Sequence, residues 1–291
     1  MKAQSVCAVI VTYHPSGRMI ENLHQVFEQV QGLVVIDNGS NEDELDPLRL
    51  ARQTLGFQLI ENGDNLGIAE ALNQGVRWAK SQDFPWVILF DQDSTITDGF
   101  INQMFAAWAA HPDRGRVCSI HPRYVHPETG REGHVWRASD GGPVISITSG
   151  ALMPTWIFDR IGWFASEYFI DEVDSEFCYR IRAAGYLIAD SRQAVLVHAA
   201  GHPKKFSILG FSFRPGHHSS LRRYYMSRNR VVLYRKYIVI FPGWVFHSIW
   251  EALRETIKSF IVETERARKF RNLLLGTWDG LTGRMGKREG L

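Results

Sequence analysis

An α/β fold with a mostly parallel central sheet, followed by a helical extension, is what the sequence predicts, and three observations predict it. Continuous apolar, β-branched runs recur over residues 6–93 (VCAVIVTY, LVVIDNGS, FQLIEN, WVILFDQDS) with amphipathic stretches between them. That is the pattern of strands buried on both faces by crossover helices. Each run also closes in a polar cluster, and beyond residue 201 strand signals fade into helical periodicity.

The elements follow in order. VCAVIVTY is a buried strand rather than a leader, because its apolar run is short and no small-residue cleavage site follows. Helices are predicted near 17–30, 43–55 and 68–82, alternating with the strands LVVID, FQLIEN and WVILF. A helix near 98–110 leads into a β-rich stretch (VCSIHPRYVH, HVWRAS, PVISITSGALMP), a short helix at FDRIG, and a strand at QAVLVHAAG. Long helices are predicted near 219–236 and 243–275, ahead of a Gly-rich basic tail. The apolar stretch 237–250 is broken by Pro242-Gly243 and falls short of the roughly 20 residues a spanning helix needs; it can lie on a membrane but not cross one.

Composition narrows the function classes. With 291 residues, 45% hydrophobic and 22% charged, the chain is globular rather than disordered. Three cysteines without CxxC spacing indicate neither a disulfide framework nor a structural zinc site, and a reducing cytosol is predicted. Residues 1–199 carry 15 Lys and Arg against 25 Asp and Glu, whereas residues 200–291 carry 18 against 6. The basic C-terminal third suits a polyanionic partner, the anionic face of a membrane or nucleic acid, or is a solvated basic surface.

In open α/β sheets ligands bind beyond the carboxyl ends of the strands, so function is to be sought at those polar clusters. Asp91-Gln92-Asp93 offers two carboxylates that can share a hard divalent cation, or is a solvated loop end. Asp37 in VIDNGS can accept from the imide N–H of a pyrimidine, or DNGS is a turn. Gly67 precedes a helix N-terminus, which favours phosphate. Neither G-x-G-x-x-G nor a Walker lysine motif is present, which disfavours NAD and ATP.

VIVTY, DNGS, the N-x-G-x-x-x-x-x-N-x-G of residues 65–75, DQD after a strand, SGALM and FIDEVDSEFCYRIRAAGY occur in one order. Over residues 5–200 this resembles the inverting family-2 glycosyltransferases of GT-A fold. SLRRYYMSRNRVVLYRKY (220–237) and DGLTGRMGK resemble the bacterial rhamnosyltransferase subgroup. The resemblance implies a GT-A catalytic domain over 1–215, with a nucleotide-binding half of about 1–95 and an acceptor-binding half of about 96–215. The remaining 216–291 form the helical extension. It implies that Thr12, Tyr13 and Asp37 hold the nucleobase, and that Asn65, Gly67 and Asn73 line the helix entry near ribose and diphosphate. Asp91 contacts ribose or donor sugar, Asp93 holds Mg²⁺ or Mn²⁺, and His198 completes the metal site.

Inversion needs a carboxylate that takes the acceptor hydroxyl proton. Aligning C-x-R at Cys178-Tyr179-Arg180 puts Asp174 at that position; the preceding residue is Val173 where the family has Glu, which leaves Asp171 as the alternative and Glu176 as a supporting group. Arg222, Arg223 and Arg228 are candidates for the leaving diphosphate or for a basic membrane-facing helix. Trp244, Phe246, Trp250, Ile257 and Phe260, interleaved with Arg254 and Lys258, form an amphipathic face for a membrane, the catalytic domain or a second subunit.

The donor implied is dTDP-L-rhamnose, the acceptor a lipid-linked glycan of bacterial surface polysaccharide synthesis, and the location the cytoplasm at the inner face of the membrane, possible as a homo-oligomer. A UDP-hexose donor is the alternative within the family. A non-catalytic nucleic-acid-binding α/β protein is the alternative outside it, although the tail carries no nucleic-acid recognition motif.

Overall fold

The computed structural model describes residues 4–127, 129–133, 135–198, 206–208, 211–213, 218–262 and 265–290, with the backbone alone at 206–208, 211–213 and 260–262. The chain packs as two units, Met1–Ser166 with Val173–Ala199, and Glu167–Glu172 with Ala200–Leu291. The boundary anticipated at 215–216 lies outside the described residues.

The first unit opens with β1 (Val6–Thr12), α1 (Gly17–Phe27), β2 (Gly32–Asp37), α2 (Glu42–Leu55), β3 (Gln58–Glu61), α3 (Ile68–Ser81) and β4 (Trp86–Asp91). It continues through β5 (Thr95–Ile96), α4 (Phe100–Ala110), β6 (Val117–Val125), β7 (Leu152–Pro154), α5 (Ile157–Ile161), α6 (Val173–Ala183) and β8 (Leu187–Val197). One sheet joins the strands in the order β3-β2-β1-β4-β7-β6-β8-β5. β1 to β4 run parallel, β7 runs antiparallel to both neighbours, and β8 returns parallel to β6. Every residue of β1 is buried, as its unbroken apolar run requires. Its register pairs Thr12 with Asp37 and Val11 with Asp91, which brings three polar strand ends to one edge. The chain leaves β1 for β2 on one side and returns to β4 on the other, so this edge is a topological switch point.

Of the two predicted strands after β6, the end of PVISITSGALMP is β7, whereas HVWRAS forms no ladder among the described residues. Between β6 and β7 the described residues form isolated bridges, Val125 with Glu132 and Arg137 with Pro143. Polar clamps hold this stretch instead: Arg137 makes a bidentate pair with Asp190 at 2.8 and 3.0 Å, and Arg182 donates to Asp140 and to the Pro143 carbonyl. All three cysteines are free and buried, and burial pushes the Cys7 and Cys178 thiols up to about 12, which leaves them unreactive.

His121 on β6 is 1% exposed, with Nε2 2.8 Å from Ser119 Oγ. Burial lowers its pKa from 6.5 to about 4. The unfolded imidazole therefore takes a proton near 6.5 while the folded one resists until about 4. Stability present above 6.5 is lost as pH falls through that window, by roughly 1.4 kcal/mol per unit and about 3 kcal/mol in all. Urea midpoints measured from pH 7 to 4 are expected to fall in the wild type and to run flatter in His121→Asn. An equal slope in both would remove His121 as the cause.

In the second unit, β9 (Phe206–Ile208) and β10 (Phe211–Phe213) form an antiparallel hairpin, and α7 (Ser220–Tyr237), α8 (Pro242–Val262) and α9 (Arg266–Thr282) follow. The single helix predicted over 243–275 is thus two: Glu265 adopts left-handed backbone (φ 56°) and starts α9 afresh. The turn lets α9 run along α7, where a Cβ on Gly276 would strike the Tyr224 carbonyl, so only glycine permits the approach. Tyr224 donates to Asp279 at 2.7 Å and Asn272 to the Ser220 carbonyl at 3.0 Å across this seam.

Candidate active site

The loops after β1 and β4 are tied together by Gln92, the middle residue of the acidic triplet. The Tyr13 amide donates to Gln92 Oε1 at 2.9 Å, and Gln92 Nε2 donates back to the Tyr13 carbonyl at 3.1 Å. This leaves the Tyr13 ring 44% exposed at the crevice edge. Beneath the loops, the Asp91 amide donates to Ser149 Oγ at 3.3 Å, and Ser149 Oγ lies 2.5 Å from Ser94 Oγ. Sequence reasoning missed Gln92 and Ser149 as loop-fixing residues; their only signal was their place inside DQD and SGALM.

Asp37 is spoken for. Its carboxylate is 1% exposed and accepts from Thr12 Oγ1 (3.0 Å), Gly39 N (3.1 Å), Ser40 N (2.9 Å) and Ser40 Oγ (2.5 Å). These bonds organise the DNGS turn and hold the carboxylate in place at the strand end. Gly39, at φ 96°, lets this turn pass where a Cβ would meet the Asp64 and Asn65 backbone at 2.6–2.7 Å. Asn38 donates to Asn65 Oδ1, which also accepts from Gly67 N at 2.9 Å, so Asn65 shapes the entry to α3. Asn73 is 1% exposed, donating to the Phe164 carbonyl at 2.8 Å and accepting from Phe164 N at 2.9 Å, and so it anchors that loop.

β5 pairs Thr95 with Val197, which carries the end of β8 to the acidic loop. There His198 Nδ1 lies 3.4 Å from Asp93 Oδ1, and Nε2 lies 4.0 Å from Asp91 Oδ2. One ligand atom from each of the three groups falls within 4.8 Å of the others. Among the described residues His198 Nδ1 is buried and makes no hydrogen bond, with Asp93 Oδ1 its neighbour at 3.4 Å. A buried nitrogen left so is unfavourable unless something else satisfies it, and two carboxylates beside an imidazole form a donor set for a divalent cation. The residues present therefore fit a metal.

The acidic segment divides between the units. In the first, Asp174 stands at the start of α6, half-buried, its Oδ1 accepting from Ser175 N at 2.8 Å. The Tyr124 phenol pKa is raised by burial and further by the charges of Cys178, Asp91 and Asp174. Glu176 is 1% exposed and bonded to Arg180 at 2.5 Å, so it is a structural ion pair and not an acceptor-side group.

In the second unit, Phe169, Asp171 and Glu172 all take left-handed backbone, at φ 64°, 64° and 62°, a conformation non-glycine residues hold only when clamped. α7 supplies the clamp. Asn229 donates to the Tyr168, Ile170 and Asp171 carbonyls at 2.8–3.0 Å, and Arg230 pairs with Glu172 at 2.8 Å. Arg222 pairs with Asp171 at 2.9 Å; burial raises the Asp171 pKa while Arg222 pulls it down. Arg228, 1% exposed, donates to the Tyr168, Glu167 and Gly286 carbonyls and to Asn229. Four of its five N–H groups are engaged there, so the expected phosphate role gives way to a structural one. Arg223 is likewise buried, bonded to Ser259.

Residues 7–164 match the family model described as Glycosyl transferase family 2. The chain is a family 2 glycosyltransferase. It is 31% identical over 298 residues to the dTDP-rhamnosyl transferase RfbF of Shigella flexneri, covering 96% of each chain. Among solved structures, the mannosyltransferase PcManGT from Pyrobaculum calidifontis, in complex with GDP-Man and Mn²⁺, is 16% identical with a TM-score of 0.58. That match covers 96% of this chain and 87% of that one. S. aureus TarS 1-349 with UDP-GlcNAc is 12% identical, covering 96% and 73%, with a TM-score of 0.55. At such identities these neighbours speak for the fold, and the GT-A architecture anticipated from the motifs is the one this glycosyltransferase has.

Proposed function

We propose that this glycosyltransferase moves L-rhamnose from dTDP-L-rhamnose onto a lipid-linked glycan at the inner face of the bacterial cytoplasmic membrane, with inversion. The Asp91, Asp93 and His198 cluster at the switch point carries the reading, with its buried imidazole nitrogen that makes no hydrogen bond among the described residues. Similarity to a named dTDP-rhamnosyl transferase supports the donor. No helix among the described residues is long and apolar enough to cross a membrane, so the association proposed is peripheral.

Asp93 and His198 hold the cation, and Asp91 faces the ribose or the sugar. A bound divalent ion supplies electrostatic stabilisation of the departing diphosphate. Mn²⁺ suits the imidazole ligand better than Mg²⁺ does, because magnesium prefers oxygen donors. Tyr13 offers its exposed ring to the base, and Asn65 with Gly67 orients the N-terminus of α3 toward phosphate. Asp174 accepts the proton of the acceptor hydroxyl as that oxygen attacks the anomeric carbon. Asp171, held by Arg222, supports the segment before α6.

Calorimetric titration with dTDP, UDP and GDP, each with and without Mn²⁺, tests the reading. Mn²⁺ is expected to tighten dTDP binding by about tenfold or more, the effect of about 1.4 kcal/mol of charge neutralisation. A preference for UDP would replace the donor by a UDP-hexose, and no nucleotide binding at all would sink the transferase reading.

A further inference from the structure

The C-terminal helices leave two apolar stripes uncovered. On α8, Phe246, Trp250, Leu253 and Ile257 are 53–65% exposed at one-turn spacing. On α9, Phe270, Leu274, Trp278 and Leu281 are 47–64% exposed in the same way. The turn joining α7 to α8 adds Val239, 89% exposed. An apolar cavity of about 330 Å³ lies among α7, α8 and α9 and is lined by Leu253, Leu273 and Val231 among others. Leu253 of the α8 stripe lines this opening, which Leu273 and Thr277 of α9 complete.

The charge beside the stripes leans cationic at one end. On α8 Arg254 pairs with Glu251 and Lys258 with Glu255. α9, with Glu265 at its N-cap, has no acid in its first turn and carries the exposed Arg268 and Arg271 near its start. Cations at a helix N-terminus oppose the macrodipole, so they do not serve the helix itself. Exposed tryptophans flanked by arginines match the boundary between hydrocarbon and anionic headgroups. A second copy would bring the same cations to the same face, and a helix about 10 Å across would not enter the cavity, whereas a lipid tail would.

We infer that the stripes of α8 and α9, with the cationic start of α9, dock this protein on an anionic lipid bilayer. The inference deepens the peripheral-membrane reading above and rests on it, naming the surface and the headgroup charge it needs.

Flotation of the full chain with vesicles of phosphatidylcholine, alone or mixed with phosphatidylglycerol, tests it without nucleotide. Binding to the mixed vesicles is expected to be about tenfold tighter than to neutral ones and to weaken with salt. The Trp250→Ser/Trp278→Ser double variant should bind about tenfold less, and Arg268→Glu/Arg271→Glu should lose the preference for phosphatidylglycerol. The arginine pair sits on exposed positions, so it remains informative if the tryptophan variant misfolds. Absence of vesicle binding, or binding unchanged in both variants, overturns the inference. So does a wild-type dimer, seen by sedimentation equilibrium, that both variants dissolve. Binding of dTDP without vesicle binding sinks the docking surface alone, and vesicle binding without any nucleotide binding sinks the transferase reading alone.

Discussion

Asp93→Asn is expected to reduce sugar transfer by about a thousandfold or more while leaving dTDP affinity in metal-free buffer unchanged. A cation that neutralises a leaving diphosphate contributes several kcal/mol to the transition state, and each 1.36 kcal/mol is tenfold in rate. The asparagine keeps the shape of the side chain and removes the charge that draws the ion. Because the Asp93 side chain is 52% exposed, the substitution disturbs no packing, and the melting temperature should stay put. His198→Asn should act in the same direction with a smaller effect, since one neutral ligand is lost and both carboxylates remain. Initial rates across a Mn²⁺ titration, with chelator as the blank, decide the matter. Chelator-resistant turnover in the wild type, or near-normal turnover in Asp93→Asn, would remove the metal from the reaction.

The first half of the sheet was legible because its signal is local. Val6–Thr12, Gly32–Asp37 and Trp86–Asp91 are continuous apolar runs, and a strand buried on both faces reads that way whatever its neighbours. The polar clusters after them also followed, since parallel register aligns strand ends. Residue-level roles were less visible, because a motif names a residue type and not its partner. Asn73 meets Phe164, 91 residues away, and Arg228 meets Tyr168, 60 residues away. Nothing near either position in sequence announces those carbonyls. His198 was found by its motif, but the strand that delivers it to Asp93 is only two residues long, too short for any periodicity. The start of α9 at Glu265 had no such signal, because the local sequence holds no glycine or proline and permits continuous helix.

Asp174→Asn should lower kcat by about 10²–10⁴-fold, the usual contribution of a positioned general base, while Mn²⁺-dependent dTDP binding survives. The side chain is half-buried at the start of α6 and already accepts from Ser175 N, a bond that asparagine's oxygen can keep, so the helix start is preserved. Asp171→Asn is the control that separates the two candidates. Asparagine tolerates the left-handed backbone at 171, so the chain path holds. The change leaves Arg222 without its carboxylate, which a measured drop in melting temperature should report. Burial raises the Asp171 pKa on balance, but both of its oxygens accept from Arg222, so the carboxylate is turned toward that guanidinium and away from a third group. Turnover should therefore fall far less in Asp171→Asn than in Asp174→Asn, with the stability effect in the opposite order. Full turnover in Asp174→Asn together with loss of turnover, but not of dTDP binding, in Asp171→Asn would move the base to Asp171 and make Arg222 the group that releases it.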